Sequence, residues 1–176
     1  MEIESSEGCS HVIELDVYSV FYSLLGRHRI VLLKETHGER FLPIWIGSFE
    51  SEAIVMRLQE ATVPRPLTHD LLVNVISELG GQLAYVMVND LSENTFYARL
   101  AIQRGGRLQL VDSRPSDAIA LALRASVPVY ADEAVMEKAG IIASPELREN
   151  SDSHEDQLGV YRDFLNSINL DDLEGK

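Results

Sequence analysis

The chain is organised around the stretch Leu110-Val111-Asp112-Ser113-Arg114-Pro115-Ser116-Asp117 and the alanine-rich run 118–125 that follows it. Apolar residues before Asp112 are typical of the end of a β-strand, and the alanine-rich run is typical of a buried helix. Pro115 suits the first helical position, where its missing N–H would have had no partner, so Ser113 or Arg114 is predicted at the helix cap. The sequence therefore predicts a strand-to-helix junction at this point.

This junction has two interpretations, and the local sequence leaves both open. In the first, Ser116 and Asp117 cap the first helical turn, because their oxygens can accept backbone N–H groups and a carboxylate is favoured at the positive end of the helix dipole. In the second, the two carboxylates, two hydroxyls and one guanidinium within six residues form a binding or catalytic site. Arg114 is accordingly suited either to hold a phosphate or to pair with Asp112 or Asp117 inside the fold.

The rest of the sequence alternates predicted strands and helices. Gly105-Gly106 is typical of a two-residue hairpin turn, and Pro43 predicts a strand that lies at a sheet edge or carries a bulge. The pattern as a whole predicts an α+β fold, a single domain with a mixed, largely antiparallel β-sheet packed with several α-helices. Strands are predicted over 12–20, 29–34, 40–46, 83–88, 95–102 and 107–111, and helices after Gly47, over 68–79 and over 118–125.

The composition predicts one folded domain with tails. A chain of 176 residues with 45% hydrophobic content can bury one substantial core. We predict a flexible acidic leader over 1–11, the domain over 12–143 and an acidic linker over 144–156. Over 157–176, apolar residues at helical spacing predict an amphipathic helix, with an acidic tail, that ends the fold or docks on a protein partner.

The net charge of −13 bears on which partners the protein can bind. Most of the acidic excess lies in the terminal segments, but the remaining domain still lacks the basic field that supplies non-specific binding to nucleic acid. The sequence contains no run of about 18 apolar residues, so no membrane span is predicted. The acidic beginning does not resemble a signal peptide, so a cytoplasmic location is predicted. Cys9 is the only cysteine, which excludes intrachain disulfides and multi-cysteine zinc sites.

Two further polar clusters are candidates for chemistry. His69 and Asp70 are suited to proton transfer or metal binding, but adjacent helical residues point about 100° apart, so a first-turn role for both is equally consistent with the sequence. Glu50 and Glu52 offer hard oxygen ligands for a divalent cation, although such acids are also typical of a solvated first helical turn. Signatures such as a phosphate-binding P-loop, a His-Glu-x-x-His helix and a nucleophile elbow are absent.

Three motifs stand out in the sequence. In chain order they are Leu42-Pro43-Ile44-Trp45-Ile46-Gly47, Arg65-Pro66-Leu67-Thr68-His69-Asp70-Leu71 and Asp112-Ser113-Arg114-Pro115-Ser116-Asp117-Ala118. Together they resemble the motifs of the bifunctional nuclease domain family of bacteria and plants. The resemblance covers roughly residues 12–140, and the chain is similar to the bacterial stand-alone form. The resemblance implies hydrolysis of phosphodiester bonds in RNA and DNA, with nucleic acid as substrate.

If the chain is active, its polar residues divide into three predicted roles. A divalent metal, Mg²⁺ or Mn²⁺, would polarise the phosphate and lower the pKa of a bound water. The predicted catalytic residues are Asp112, Arg114, Asp117 and His69, the substrate-binding residues are Ser113, Ser116, Arg65 and Thr68, and the metal ligands are Asp112, Asp117, Glu50 and Glu52.

The alternative function is a non-catalytic domain that binds a ligand or a protein. In either case we expect a homo-oligomer.

Overall fold

The computed structural model describes residues 11–22 and 29–142. The predicted leader over 1–11, apart from its last residue, and the predicted linker and C-terminal helix lie outside these residues. The strands are β1 Val12–Tyr22, β2 Arg29–Glu35, β3 Arg40–Ile46, β4 Gly81–Ser92, β5 Thr95–Arg104, β6 Arg107–Ser113, β7 Val129–Asp132 and β8 Ile141–Ile142. The helices are α1 Ser48–Leu58, α2 Thr68–Glu78, α3 Pro115–Ala125 and α4 Glu133–Ala139.

The strands up to Gly140 form one mixed sheet in the order β6-β5-β4-β7-β1-β2-β3. Neighbouring strands are antiparallel, except that β4 and β7 run parallel. The predicted α+β fold with a largely antiparallel sheet is therefore confirmed. The short strand β8 belongs to a second unit that begins at Ile141.

Local turn chemistry explains how the β4–β5–β6 meander closes. Gly105 and Gly106 both have positive φ angles and connect Arg104 to Arg107, which pair directly across the strands. Such angles match the right-handed twist of a two-residue hairpin, and glycine adopts them without steric cost. The predicted Gly-Gly hairpin is thus present. Of the two alternatives for Pro43, the bulge is excluded, because Pro43 pairs opposite Leu32 without a register shift.

The helix α3 forms the centre of the core. It packs across β4 and β5 and contacts both α1 and α2. Its small side chains allow this close approach, and residues 118–122 are all buried. The buried, alanine-rich helix predicted from the sequence is confirmed, with Arg114 at its N-cap and Pro115 at its first position. By contrast, no residue of α2 is buried.

A pair of ionic contacts made by Arg40 joins the β2–β3 hairpin to α4. The Arg40 guanidinium donates to the Glu35 Oε1 atom at 2.5 Å and to the Glu133 Oε1 atom at 2.6 Å. Hydrogen bonding from Arg40 holds the pKa of both carboxyls below the usual value, although burial acts in the opposite direction. Glu35 is one of the few buried charged residues, so Arg40 supplies its compensating charge.

We expect Arg40→Met to lower the free energy of unfolding at pH 7 by about 1–3 kcal/mol, because Glu35 loses its counter-charge in a buried setting. Both carboxyls have lowered pKa values in the folded state, so this stabilisation is present above the unfolded value of 4.5 and is lost as the pH falls through the folded values. Urea unfolding at several pH values should show the difference between wild type and variant shrinking in acid.

Lys138→Met is the matched control for this measurement, because Lys138 is exposed and stands 3.9 Å from the Asp90 carboxylate. A pair of that kind contributes only about 0–1 kcal/mol. A destabilisation by Arg40→Met that is equal at all pH values would contradict the electrostatic account and would leave only lost packing.

Candidate active site

Three helices begin at one cavity of about 600 Å³. The first turns of α1 and α2, together with the N-cap and first turn of α3, contribute most of the lining. A volume of this size is typical of pockets that hold a small molecule or a segment of a larger ligand. The lining residues are Phe49, Glu50, Glu52, Ala53, Met56, Pro66, Leu67, Thr68, His69, Arg114 and Asp117.

A chain of polar contacts runs along one wall of this cavity. Arg114 donates from Nη2 to the Glu50 Oε1 atom at 2.8 Å and from Nε to the Asp117 Oδ2 atom at 2.8 Å. The other oxygen of Asp117 lies 3.0 Å from the Nε2 atom of His69. Residues that are far apart in the sequence are therefore connected in the order Glu50, Arg114, Asp117, His69.

The surroundings of Asp117 keep its carboxyl group ionised. Burial alone would raise the pKa of Asp117, but the hydrogen bonds from Arg114 and His69 outweigh burial, so the pKa is lowered. The same contacts raise the pKa of Arg114, chiefly through the hydrogen bond to Asp117. An ionised carboxylate can only accept hydrogen bonds, so the Nε2 atom of His69 must carry the hydrogen and Nδ1 is left as the basic nitrogen.

The helix starts around the cavity have an unusual feature in common. The N-cap residues of α1, α2 and α3 are Gly47, Leu67 and Arg114. None of these side chains has an oxygen atom, so none accepts a backbone N–H. At α4, away from the cavity, Asp132 accepts from the Ala134 N–H in the normal manner.

Uncapped helix N-termini carry partial positive charge and favour anions. The first turns also carry Glu50, Asp70 and Asp117, whose carboxylates offset part of this positive charge. The Arg114 guanidinium is therefore the main group of the cavity that is suited to an anion such as a phosphate.

Arg124 holds the three helices together behind the cavity. Its side chain is only 7% exposed, and its Nε donates to the Asp70 Oδ1 atom at 2.5 Å. Its Nη1 donates to the carbonyl oxygens of Ala53 in α1 and Ala120 in α3. Asp70 also accepts the Leu67 N–H at 2.8 Å, and these contacts lower the pKa of Asp70 despite its burial. One cation thus links α1, α2 and α3.

The structure separates the predicted site residues into two groups. Glu50, Glu52, Thr68, His69, Arg114 and Asp117 line the cavity. The other predicted residues do not line it. Asp112 is exposed opposite Arg99 in the β5–β6 ladder, and Arg65 is exposed in the connector before α2. Ser113 donates to the Arg114 carbonyl oxygen, and Ser116 is buried.

The predicted metal site is not assembled in this arrangement. Glu50 and Asp117 are both engaged by Arg114, and Asp112 lies outside the cavity lining. Over residues 11–22 and 29–142, no three acidic, histidine or cysteine side chains stand close enough together to hold a metal ion. The donor set does not fit a metal as placed, so we derive no catalytic step from one.

Sequence reasoning missed several residues of the cavity. Phe49, Met56 and Leu67 line it but resemble ordinary helix or connector residues in the sequence. Arg124 was not predicted as a site residue because it lies in an otherwise apolar helix. A single arginine within an alanine-rich run nevertheless indicates an ion pair with a residue elsewhere in the fold. Its partner, Asp70, was predicted in the first turn of α2, and the structure adds that it binds both the Leu67 N–H and Arg124.

Comparison with known proteins identifies the family. The sequence profile of the bifunctional nuclease domain matches residues 31–144, which is more than half of the chain. The chain belongs to the bifunctional nuclease domain family. The resemblance predicted from the three motifs is therefore confirmed, and two of those motifs, 65–71 and 112–118, line the cavity of this bifunctional nuclease domain together with α1.

Relatives of this bifunctional nuclease domain occur in bacteria and plants. An uncharacterised protein of Mycobacterium tuberculosis is 43% identical over 147 residues, which cover 82% of this chain and 88% of that protein. Bifunctional nuclease 1 of Oryza sativa subsp. indica is 26% identical over 65% of this chain and 35% of its own length. Bifunctional nuclease 1 of Arabidopsis thaliana is 24% identical, over 67% and 40%. The chain thus matches well under half of each plant protein.

None of the helices within residues 11–22 and 29–142 is long and apolar enough to cross a membrane.

Proposed function

We propose that this domain hydrolyses phosphodiester bonds of RNA and DNA in the cavity between α1, α2 and α3. The observation that carries the proposal is the meeting of three helix N-termini at a cavity that also holds a guanidinium and a histidine–carboxylate pair. The helix N-termini and the guanidinium favour binding of a phosphate. The histidine–carboxylate pair is a common arrangement for proton transfer. The family relationship and the plant bifunctional nucleases support the same reaction.

Arg114 is the residue that we propose binds the phosphate. Its side chain is 65% exposed, and only its Nε and one bond from Nη2 are used by Asp117 and Glu50. A guanidinium carries five N–H donors, so donors remain for non-bridging phosphate oxygens. These contacts would strengthen as negative charge develops at phosphorus during attack.

His69 is the residue that we propose moves the proton. Asp117 holds Nε2, which leaves Nδ1 as the base. Water would give its proton to Nδ1 as its oxygen bonds to phosphorus, and the bond from phosphorus to the leaving oxygen would then break. The imidazolium formed in this way is stabilised by the Asp117 carboxylate and can return the proton to the leaving oxygen.

The proposal predicts that Arg114→Ala lowers the cleavage rate of labelled single-stranded RNA and DNA by about 10²-fold or more, because one charge-stabilising donor of the transition state is lost. Arg107→Ala is the control, since it removes the same charge from the exposed turn between β5 and β6 and should cleave at the wild-type rate. Thermal unfolding should confirm that both variants are folded.

The cleavage assay also tests the two alternatives that the sequence left open. The original prediction of Mg²⁺ or Mn²⁺ at Glu50, Glu52, Asp112 and Asp117 requires EDTA to abolish activity and added metal to restore it. A wild-type protein that binds oligonucleotides or another ligand without cleaving them would instead support the non-catalytic binding domain. Equal activity of wild type and Arg114→Ala would contradict a site centred on Arg114.

We also propose that the protein is a cytoplasmic homo-oligomer. The outer strand β6 exposes Leu108, Leu110 and Val111, and α2 and its C-cap expose Leu71 and Leu79. Outer strands and exposed apolar side chains are common at interfaces between subunits. Light scattering during size-exclusion chromatography tests the proposal, and a monomer mass at micromolar concentration would contradict it.

A further inference from the structure

Phe49 is exposed at the mouth of the candidate active site. Its side chain is 82% exposed, the highest value among the large apolar residues in the described part of the chain. It lies in the first turn of α1 and lines the same cavity as Arg114 and His69. The next residue, Glu50, binds Arg114 directly, so the aromatic ring is attached one position away from the guanidinium network.

The packing of α1 does not require a phenylalanine at this position. The buried residues of the helix are Ser51, Ala53 and Ile54, which face the core while Phe49 faces water. A single exposed apolar residue is common on protein surfaces, but an aromatic ring at the opening of a polar cavity is a usual element of ligand binding. A ligand with a flat apolar face would cover this ring.

The charge of the cavity indicates why such a contact matters for a nucleic acid. The cavity lining contains Glu50, Glu52 and Asp117 beside a single arginine. Affinity for nucleic acid normally comes from many Lys and Arg contacts to phosphates, and this cavity offers one. A contact that does not depend on charge therefore contributes a larger share of the binding energy at this site. Stacking of a base on an aromatic ring is such a contact.

We propose that Phe49 stacks on an unpaired base next to the phosphate held by Arg114, so that the site takes single-stranded rather than double-stranded nucleic acid. This inference rests on the proposed function and adds the strandedness of the substrate. The bases of a duplex are already stacked on their neighbours, and exposing one face costs unstacking energy. A single strand offers its base faces freely, and every base has such a face, which suits a site that accepts both RNA and DNA.

The test measures equilibrium binding by fluorescence anisotropy. The probes are a short phosphorothioate oligodeoxythymidine that resists cleavage, an abasic strand of the same length and linkage, and a duplex of that length. We expect Phe49→Ala to weaken binding of the thymidine strand about 5- to 150-fold, the range for loss of one stacked base, and to leave the abasic strand unchanged. Phe49→Trp should retain binding of the thymidine strand.

Tyr97→Ala is the matched control, because Tyr97 is an exposed aromatic residue on β5 that does not line the cavity. It should bind all three probes as the wild type does. The salt dependence is a second readout: a slope of log K against log salt near −0.7 corresponds to one phosphate contact on a single strand. A slope several times steeper would show that charge dominates binding and would overturn the inference.

The outcomes separate this inference from the proposed function. The inference that a base stacks on Phe49 is wrong if the wild type binds thymidine and abasic strands equally, or if Phe49→Ala weakens binding of both to the same extent. The proposed nucleic-acid site is retained in either case. Equal binding of single strand and duplex by the wild type would overturn the inferred strandedness. If the wild type binds none of the probes and cleaves no nucleic acid, the proposed function itself fails.

Discussion

His69→Gln is expected to lower kcat for oligonucleotide cleavage by about 10²- to 10⁴-fold, the usual contribution of a positioned acid–base residue. Glutamine retains polarity and approximate size but cannot accept and return a proton near neutral pH. Because Arg114 and the helix N-termini are unchanged, KM should change little. The measurement is steady-state cleavage of labelled single-stranded RNA and DNA by purified protein.

Asp117→Asn provides a second test of the same dyad. The Asp117 oxygen lies 3.0 Å from the His69 Nε2 atom, and an ionised carboxylate there fixes the hydrogen on Nε2. An asparagine amide can donate to Nε2 instead, which places the hydrogen on Nδ1 and removes the base from the cavity. We therefore expect a large loss of kcat in this variant as well, although its shape is almost that of the wild type.

The matched control for the histidine is His37→Gln, since His37 is exposed between β2 and β3 and does not line this cavity. Its cleavage rate should equal that of the wild type. Activity of His69→Gln within a factor of two or three of wild type would contradict acid–base catalysis by His69 and would direct attention to Glu50 or Glu52.

Arg124→Met is expected to lower the free energy of unfolding by about 1–3 kcal/mol, the range for loss of hydrogen bonds made by a charged group in a partly buried setting. The variant leaves Asp70 without its cation and two helix carbonyl oxygens without a donor. Methionine fills much of the space, so the loss reports chiefly on the polar contacts. Urea unfolding followed by circular dichroism gives the value.

Arg57→Met is the control for this substitution, because Arg57 also bridges α1 and α3 by donating to the Leu123 carbonyl oxygen, but at the surface. Its loss should cost well under 1 kcal/mol. If Arg124→Met proved no more destabilising than Arg57→Met, the contacts of Arg124 would not be what joins the three helices.

Much of the fold could be predicted because its signals are local. Pro115 after a strand and before alanines fixes the start of α3, and Gly105-Gly106 fixes a hairpin whose geometry few other residue pairs adopt. Pro43 predicted either an edge strand or a bulge, and its missing N–H alone could not distinguish the two. The structure excludes the bulge, because Pro43 pairs opposite Leu32 without a register shift.

The site was harder to predict because its contacts join distant parts of the chain. The sequence offered Asp112 or Asp117 as a partner for Arg114, and only the helix geometry brings Asp117, three residues on, onto the guanidinium. His69 and Asp70 were correctly expected not to bind each other. Their actual partners, Asp117 and Arg124, are 48 and 54 residues away, and no local pattern encodes the packing of α2 on α3 that brings them together.

The different burial of α2 and α3 has a consequence for how this protein can change during evolution. On α3, which lines the cavity with Asp117, seven of the eleven residues are buried, so most replacements disturb the core. On α2, which lines the cavity with His69, no residue is buried, so its outward side chains can be replaced with little loss of stability. Natural variation can therefore accumulate on α2 beside His69 and adjust the fit of new substrates, while α3 preserves the chemistry.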